Sequence, residues 1–190
     1  MWLASIRHNL RSLLRFSGRD APHRFWPYAF TLFVISNIIL SVALQRGMER
    51  MLRYAVTHPA QSRVALGTST VQVSIAERPH EVQGVMMQIV AWAGISMVSF
   101  LLLSAAAVAR RLHDRGKSGW WGAATAALGA VGMVGTGRTL LAPTGVPPGI
   151  FFAAFLVNAA YLVSAACLVV LLAGSGTEGP NEYGPGTPAD

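Results

Sequence analysis

The sequence predicts an all-α membrane protein: four transmembrane helices, a basic amphipathic segment before them, and a small extramembrane loop after the first span. Three observations carry this. Long apolar runs without charge recur along the chain. Only 12% of the 190 residues are charged, against about 25% in a soluble domain. Mean hydropathy is +0.45, and Arg residues gather in short segments beside the apolar runs, where they set topology or meet anionic headgroups. The net charge of +7 is therefore read as a membrane feature, and no nucleic-acid partner is expected. A lone Cys167 supports neither a disulfide framework nor a Cys metal site. The five His residues show no ligand spacing, so no metal and no cofactor are expected.

In chain order, residues 1–25 form a cytoplasmic N-terminal segment with Arg7, Arg11, Arg15, Arg19 and Arg24 against one acid, Asp20. Trp2, Leu3, Ile6, Leu10, Leu13 and Leu14 recur at roughly helical spacing, and Arg7, Arg11 and Arg15 at every fourth position. This pattern suits a helix lying on a membrane surface; a loose N-terminal arm is the alternative. The first span covers about 26–44, opened by Trp26 and Tyr28, with Pro27 suited to a first helical turn. A cleaved secretory signal is the competing reading, since Ser41-Val42-Ala43 resembles a cleavage site. Residues 45–84 form an extracytoplasmic loop, with a short helix over 47–56 and a strand or hairpin over 64–75.

The second span covers about 85–109, the third about 120–134 and the fourth about 150–173. Gly122, Ala126 and Ala130 form a small-residue face on the third. Asn158, Tyr161, Ser164 and Cys167 form a weakly polar stripe on the fourth that should face other helices. Residues 135–149 read as a Gly/Pro loop, and 174–190 as a cytoplasmic tail with three acids and no base. Four spans put both termini and the loop at 110–119 on one face. That face carries five Lys/Arg in the N-terminal segment and four in the loop, and the other carries five and one. Nine against six favours the termini inside.

The densest chemistry lies at 110–121: Arg110, Arg111, His113, Asp114, Arg115, Lys117 and two Trp in twelve positions. If the second helix ran on, Arg110, Asp114 and Lys117 would share a face. Gly116 and Gly119 would allow the reversal, and Ser118 would cap the third span. One reading makes the cluster a topological anchor. The other makes it an anionic-headgroup site, with Arg19, Asn181 and Tyr183 brought to the same face. Topology does not need His113-Asp114 or the polar punctuation of the tail.

Three blocks resemble the domain of unknown function 805 family, small multi-span bacterial inner-membrane proteins. They are Phe16-Ser17-Gly18-Arg19 followed by Phe25-Trp26; Ala109-Arg110-Arg111-Leu112-His113-Asp114-Arg115-Gly116-Lys117-Ser118-Gly119-Trp120-Trp121; and Gly176-Thr177-Glu178-Gly179-Pro180-Asn181-Glu182-Tyr183-Gly184-Pro185. Pro22 and Glu182 stand where the family tends to differ, and 135–149 is longer than its usual connection. The resemblance implies a multi-pass protein of the bacterial inner membrane and supplies no activity. No catalytic motif is present, so a non-enzymatic role is expected, with anionic phospholipid, a homo-oligomer or another membrane protein as partner. Asn37, Gln88 and Asn158 motivate a small-solute transporter or channel as the alternative.

Overall fold

The computed structural model describes residues 1–59, 62–66, 71–75, 80–142 and 146–185. Five helices follow one another: α1 (Trp2–Arg11), α2 (Pro22–Thr57), α3 (His80–Asp114), α4 (Trp120–Leu141) and α5 (Pro148–Ala173). Between α2 and α3, β1 (Ser62–Leu66) and β2 (Val71–Ile75) form an antiparallel hairpin in which Val64 pairs with Val73. The expected hairpin is therefore present, and it starts two residues earlier than the alternation suggested.

Helices α2, α3 and α5 are each long and apolar enough to cross a membrane. Very little of their apolar surface is covered by protein; in α5 only 6% of the most apolar window is buried. A helix apolar on all sides and still uncovered needs lipid as its solvent. Phe151, Phe155, Leu162 and Val170 of α5 are all exposed. Helix α4 has 22 residues, about 33 Å at 1.5 Å per residue. Its Gly and Thr lower its hydropathy, and it is not among the described helices both long and apolar enough to cross, so three of the four expected spans stand on that ground.

Several boundaries differ from expectation. Helix α2 starts at Pro22, which takes the first helical position four residues before the expected start at 26, and Pro27 lies inside the helix and not at its first residue. It runs on without interruption through 45–57, so the separate short helix over 47–56 is a continuation of the span. Gly47 makes this possible, because a Cβ there would lie 2.5 Å from Ile89 Cδ1 of α3. Helix α4 runs seven residues past the expected end at 134. Its glycines are contact points and not breakers: Gly129 meets Tyr161, Gly132 meets Asn158 and Gly135 meets Ala154. The expected 122/126/130 face is accordingly misplaced. Gly122 faces Val108 of α3, Ala130 is exposed, and the residues α4 buries are Thr125, Gly129, Gly132 and Gly137.

The polar stripe of α5 does face α4. Asn158 Nδ2 donates to Gly132 O and Thr136 Oγ1, and Ser164 Oγ lies 2.7 Å from Thr125 Oγ1. Cys167 is exposed. The buried core sits at one end of the bundle, where Phe25, Tyr28 and Leu32 of α2 meet Ala107 and Leu112 of α3 and Leu172 of α5. Tyr28 Oη donates to Leu103 O at 2.8 Å and ties α2 to α3. The ends of α3 and α5 and the start of α2 therefore converge on one place.

Candidate functional site: a buried arginine clasp

Helix α3 ends in a Schellman turn. Lys117 N donates to Leu112 O at 2.8 Å and Gly116 N to His113 O at 3.0 Å, with Gly116 at φ +64°. The helix therefore stops at Asp114 and turns back into α4. Lys117 does not join Arg110 and Asp114 on a continued helical face; it points out, exposed. Gly119 stands at the N-cap of α4. The capping role expected of Ser118 is reduced to a 3.4 Å contact from Trp120 N to its hydroxyl.

Two carboxylates organise the rest. Asp114, fully buried, pairs with Arg111 one turn back and with Arg19 Nε at 3.1 Å. Asp20, also buried, takes Arg110 Nε at 2.6 Å and lies 3.0 Å from His8 Nε2. Arg110 and Asp114, one turn apart on α3, each pair with a different partner.

The remaining guanidinium donors are taken by backbone and side-chain oxygens. Arg110 Nη1 donates to Ser12 O and Arg15 O, and its Nη2 to Asn9 Oδ1 at 2.8 Å. Arg111 Nε donates to Leu172 O at 3.0 Å and its Nη2 to Gly174 O, which satisfies the last carbonyls of α5 at the negative end of its dipole. Arg19 donates to Gly179 O at 2.7 Å and to Thr177 O at 2.6 Å. Arg115 Nη1 reaches Ser175 O at 2.7 Å.

The tail completes the closure. Thr177 N and Oγ1 donate to Asp114 O at 2.8 and 3.1 Å. Asn181 Nδ2 donates to His113 O at 3.0 Å and to Thr177 Oγ1 at 2.9 Å. The Tyr183 ring stacks on His113, with centroids 4.0 Å apart and planes 3° from parallel. Desolvation, and then Glu182, push the Tyr183 phenol pKa up. Gly176 lies so close to the Asp114 carboxylate that a Cβ would sit 2.9 Å from its Cγ, and a Cβ on Gly174 would overlap the Arg115 guanidinium. These small residues are what the close approach demands.

The structure thus brings Arg19, Arg110, Arg111, His113, Asp114, Arg115, Asn181 and Tyr183 together, and leaves Lys117 outside. Sequence reasoning missed Asp20, Asn9, Ser5 and Thr177. Ser5 and Asn9 both bond Arg24 O and dock α1 onto α2. The available signal was Asp20 itself, one acid among five Arg in residues 1–25. Helix α1 ends at Arg11, so the every-fourth-residue Arg stripe stops before Arg15.

A family model described as "Protein of unknown function (DUF805)" matches residues 13–185. The chain belongs to this family. The match runs from just after α1 to the Tyr183-Gly184-Pro185 turn, so all three blocks that form the clasp lie inside it. No curated protein and no solved structure matches the chain. The DUF805 assignment gives the clasp a family setting and assigns it no activity.

Proposed function

We propose that this DUF805 protein is a non-enzymatic, four-span protein of the bacterial inner membrane, with both termini cytoplasmic, whose clasp presents a cationic surface to anionic phospholipid headgroups. The observation supporting this is a division among the basic residues. Arg19, Arg110 and Arg111 have their donors occupied by the chain itself. Arg7, Arg11, Arg15, Arg24 and Lys117 are exposed, and their side chains have no hydrogen-bond or ion-pair partner among the described residues. Headgroup binding therefore belongs to this outer set, and the inner arginines act as its frame.

Exposed apolar side chains accompany the outer set. Leu3, Leu10 and Leu14 are 82%, 49% and 92% exposed, and Trp120 and Trp121 are 79% and 57% exposed. A surface that mixes free cations with Leu and Trp is the chemistry of a membrane interface. Helix α1 uses its small polar Ser5–Asn9 side for docking, which frees these leucines to enter the headgroup layer. The span residues that motivate transport are occupied locally: Asn37 donates to Phe33 O, Asn158 to Ala154 O and α4, and Gln88 accepts from Arg50.

The test is lipid selection in nanodiscs assembled from equal phosphatidylglycerol and phosphatidylcholine. Wild-type protein is expected to enrich phosphatidylglycerol around itself in a salt-sensitive way. A variant with Arg7, Arg11, Arg15, Arg24 and Lys117 all changed to Gln is expected to lose that enrichment while staying folded. Equal enrichment by both proteins would defeat the reading.

A further inference from the structure

A cavity of about 810 Å³ opens between the helices beside the clasp, with walls from α2, α3, α4 and α5. Its volume lies in the range of about 300–1,000 Å³ typical of small-molecule sites. The walls are mostly aromatic and aliphatic (Trp26, Phe30, Phe33, Val108, Ala126, Leu168), with Ser104, Thr125 and Tyr161 among them, and His113 and Ser118 stand at the clasp end. Along α3 the lining runs from Phe100 to His113, a rise of about 20 Å at 1.5 Å per residue. One leaflet of hydrocarbon is about 15 Å deep, half of a 30 Å core. The cavity is thus a mainly apolar slot about one leaflet deep, with His113 and Ser118 at its clasp end.

The polar end is held in place. The His113 ring is fixed by its stack on Tyr183 and by Nδ1 lying 3.3 Å from Gly18 O. With the Nδ1 proton assigned toward that carbonyl, Nε2 is left as an acceptor without a partner among the described residues. Three lining residues at this end, Phe16, Phe25 and Ser118, each follow an exposed cation directly: Arg15, Arg24 and Lys117. A mainly apolar slot with the Ser118 hydroxyl and the His113 ring nitrogen at its clasp end complements an amphiphile with a phosphate and a hydroxyl in its head.

We infer that this cavity binds one membrane phospholipid, with a single acyl chain between α2, α3, α4 and α5 and the anionic headgroup at His113 and Ser118. The headgroup half of this rests on the function proposed above; the chain half rests on the cavity alone. A ligand hydroxyl donates to His113 Nε2, and the Ser118 hydroxyl donates to a phosphate oxygen. The closed clasp keeps the His113 ring aimed at the mouth, which gives the tail a purpose beyond stability.

Native mass spectrometry of the full chain tests this, with phosphatidylglycerol and phosphatidylcholine of identical chains added to detergent-solubilised protein. Wild type is expected to retain one phosphatidylglycerol. Ala126→Phe and Ala105→Phe fill the slot from different helices, and each is expected to lower retention about tenfold or more, the effect of roughly 1.4 kcal/mol. Thermal melting identifies whichever variant remains folded. A folded variant that retains phosphatidylglycerol like wild type overturns the cavity site and leaves the headgroup reading standing. Equal wild-type retention of both lipids, each lost on filling the slot, upholds the cavity and overturns the headgroup reading. A lipid-free dimer of wild type overturns the cavity site by showing a second copy in its place.

Discussion

The two ends of the helix bundle treat their charges in opposite ways. At the clasp end, Arg110, Arg111, Asp20 and Asp114 are all buried, and the ion pairs Arg110–Asp20 and Arg19–Asp114 join segments ninety or more residues apart. At the far end, Arg50 and Gln88 meet across α2 and α3, and both are exposed. A buried ion is tolerated only when nearly every polar atom is satisfied; no described buried side-chain nitrogen or oxygen lacks a partner. An exposed pair needs no such completeness, because water serves either partner. The clasp end therefore reports on the fold as a whole, and the far end reports only on itself.

Breaking the comparison begins with Asp114→Ala. It leaves Arg111 buried without its carboxylate and removes a partner of Arg19, so a loss of about 3–5 kcal/mol is expected, read from denaturant unfolding in detergent. A loss below 1 kcal/mol would place the clasp in the same class as the far end. Asp20→Ala comes next. Arg110 keeps Ser12 O, Arg15 O and Asn9, so a loss of about 3 kcal/mol, the low end of the buried-pair range, is expected. Tyr183→Ala removes a stack worth about 0.5–1.5 kcal/mol; limited proteolysis should then cut within 175–185 faster, while the bundle melts nearly as before. Gln88→Ala at the far end is expected to shift stability by no more than about 0.5 kcal/mol. A larger effect there would erase the contrast between the ends.

Much of the fold was legible in the sequence because a bilayer demands long apolar helices, and those leave a plain trace. The hairpin was legible from alternation between Val71 and Ile75. The length of α4 was not, because Gly135 and Gly137 look like breakers in isolation and act as contact points once Ala154 and Val90 lie beside them. The cluster itself was visible as a concentration of charge. Its wiring was not, since Asp20 and Arg110 stand ninety positions apart and helical spacing speaks only of neighbours within one helix. The two oddities that topology left unexplained, His113-Asp114 and Asn181 with Tyr183, prove to be partners: the tail bonds the His113 and Asp114 carbonyls, and Tyr183 covers the His113 ring.

The central claim is that the segment before α2 and the tail after α5 are closed onto the end of α3 as one unit. Residue-resolved hydrogen exchange on the protein in nanodiscs tests it directly. The Asp20 and Thr177 amides, bonded to Arg110 O and Asp114 O, should exchange as slowly as amides inside α3, and both should accelerate together in Asp114→Ala. Thr177 exchanging at the rate of an unstructured peptide in wild type would contradict the clasp.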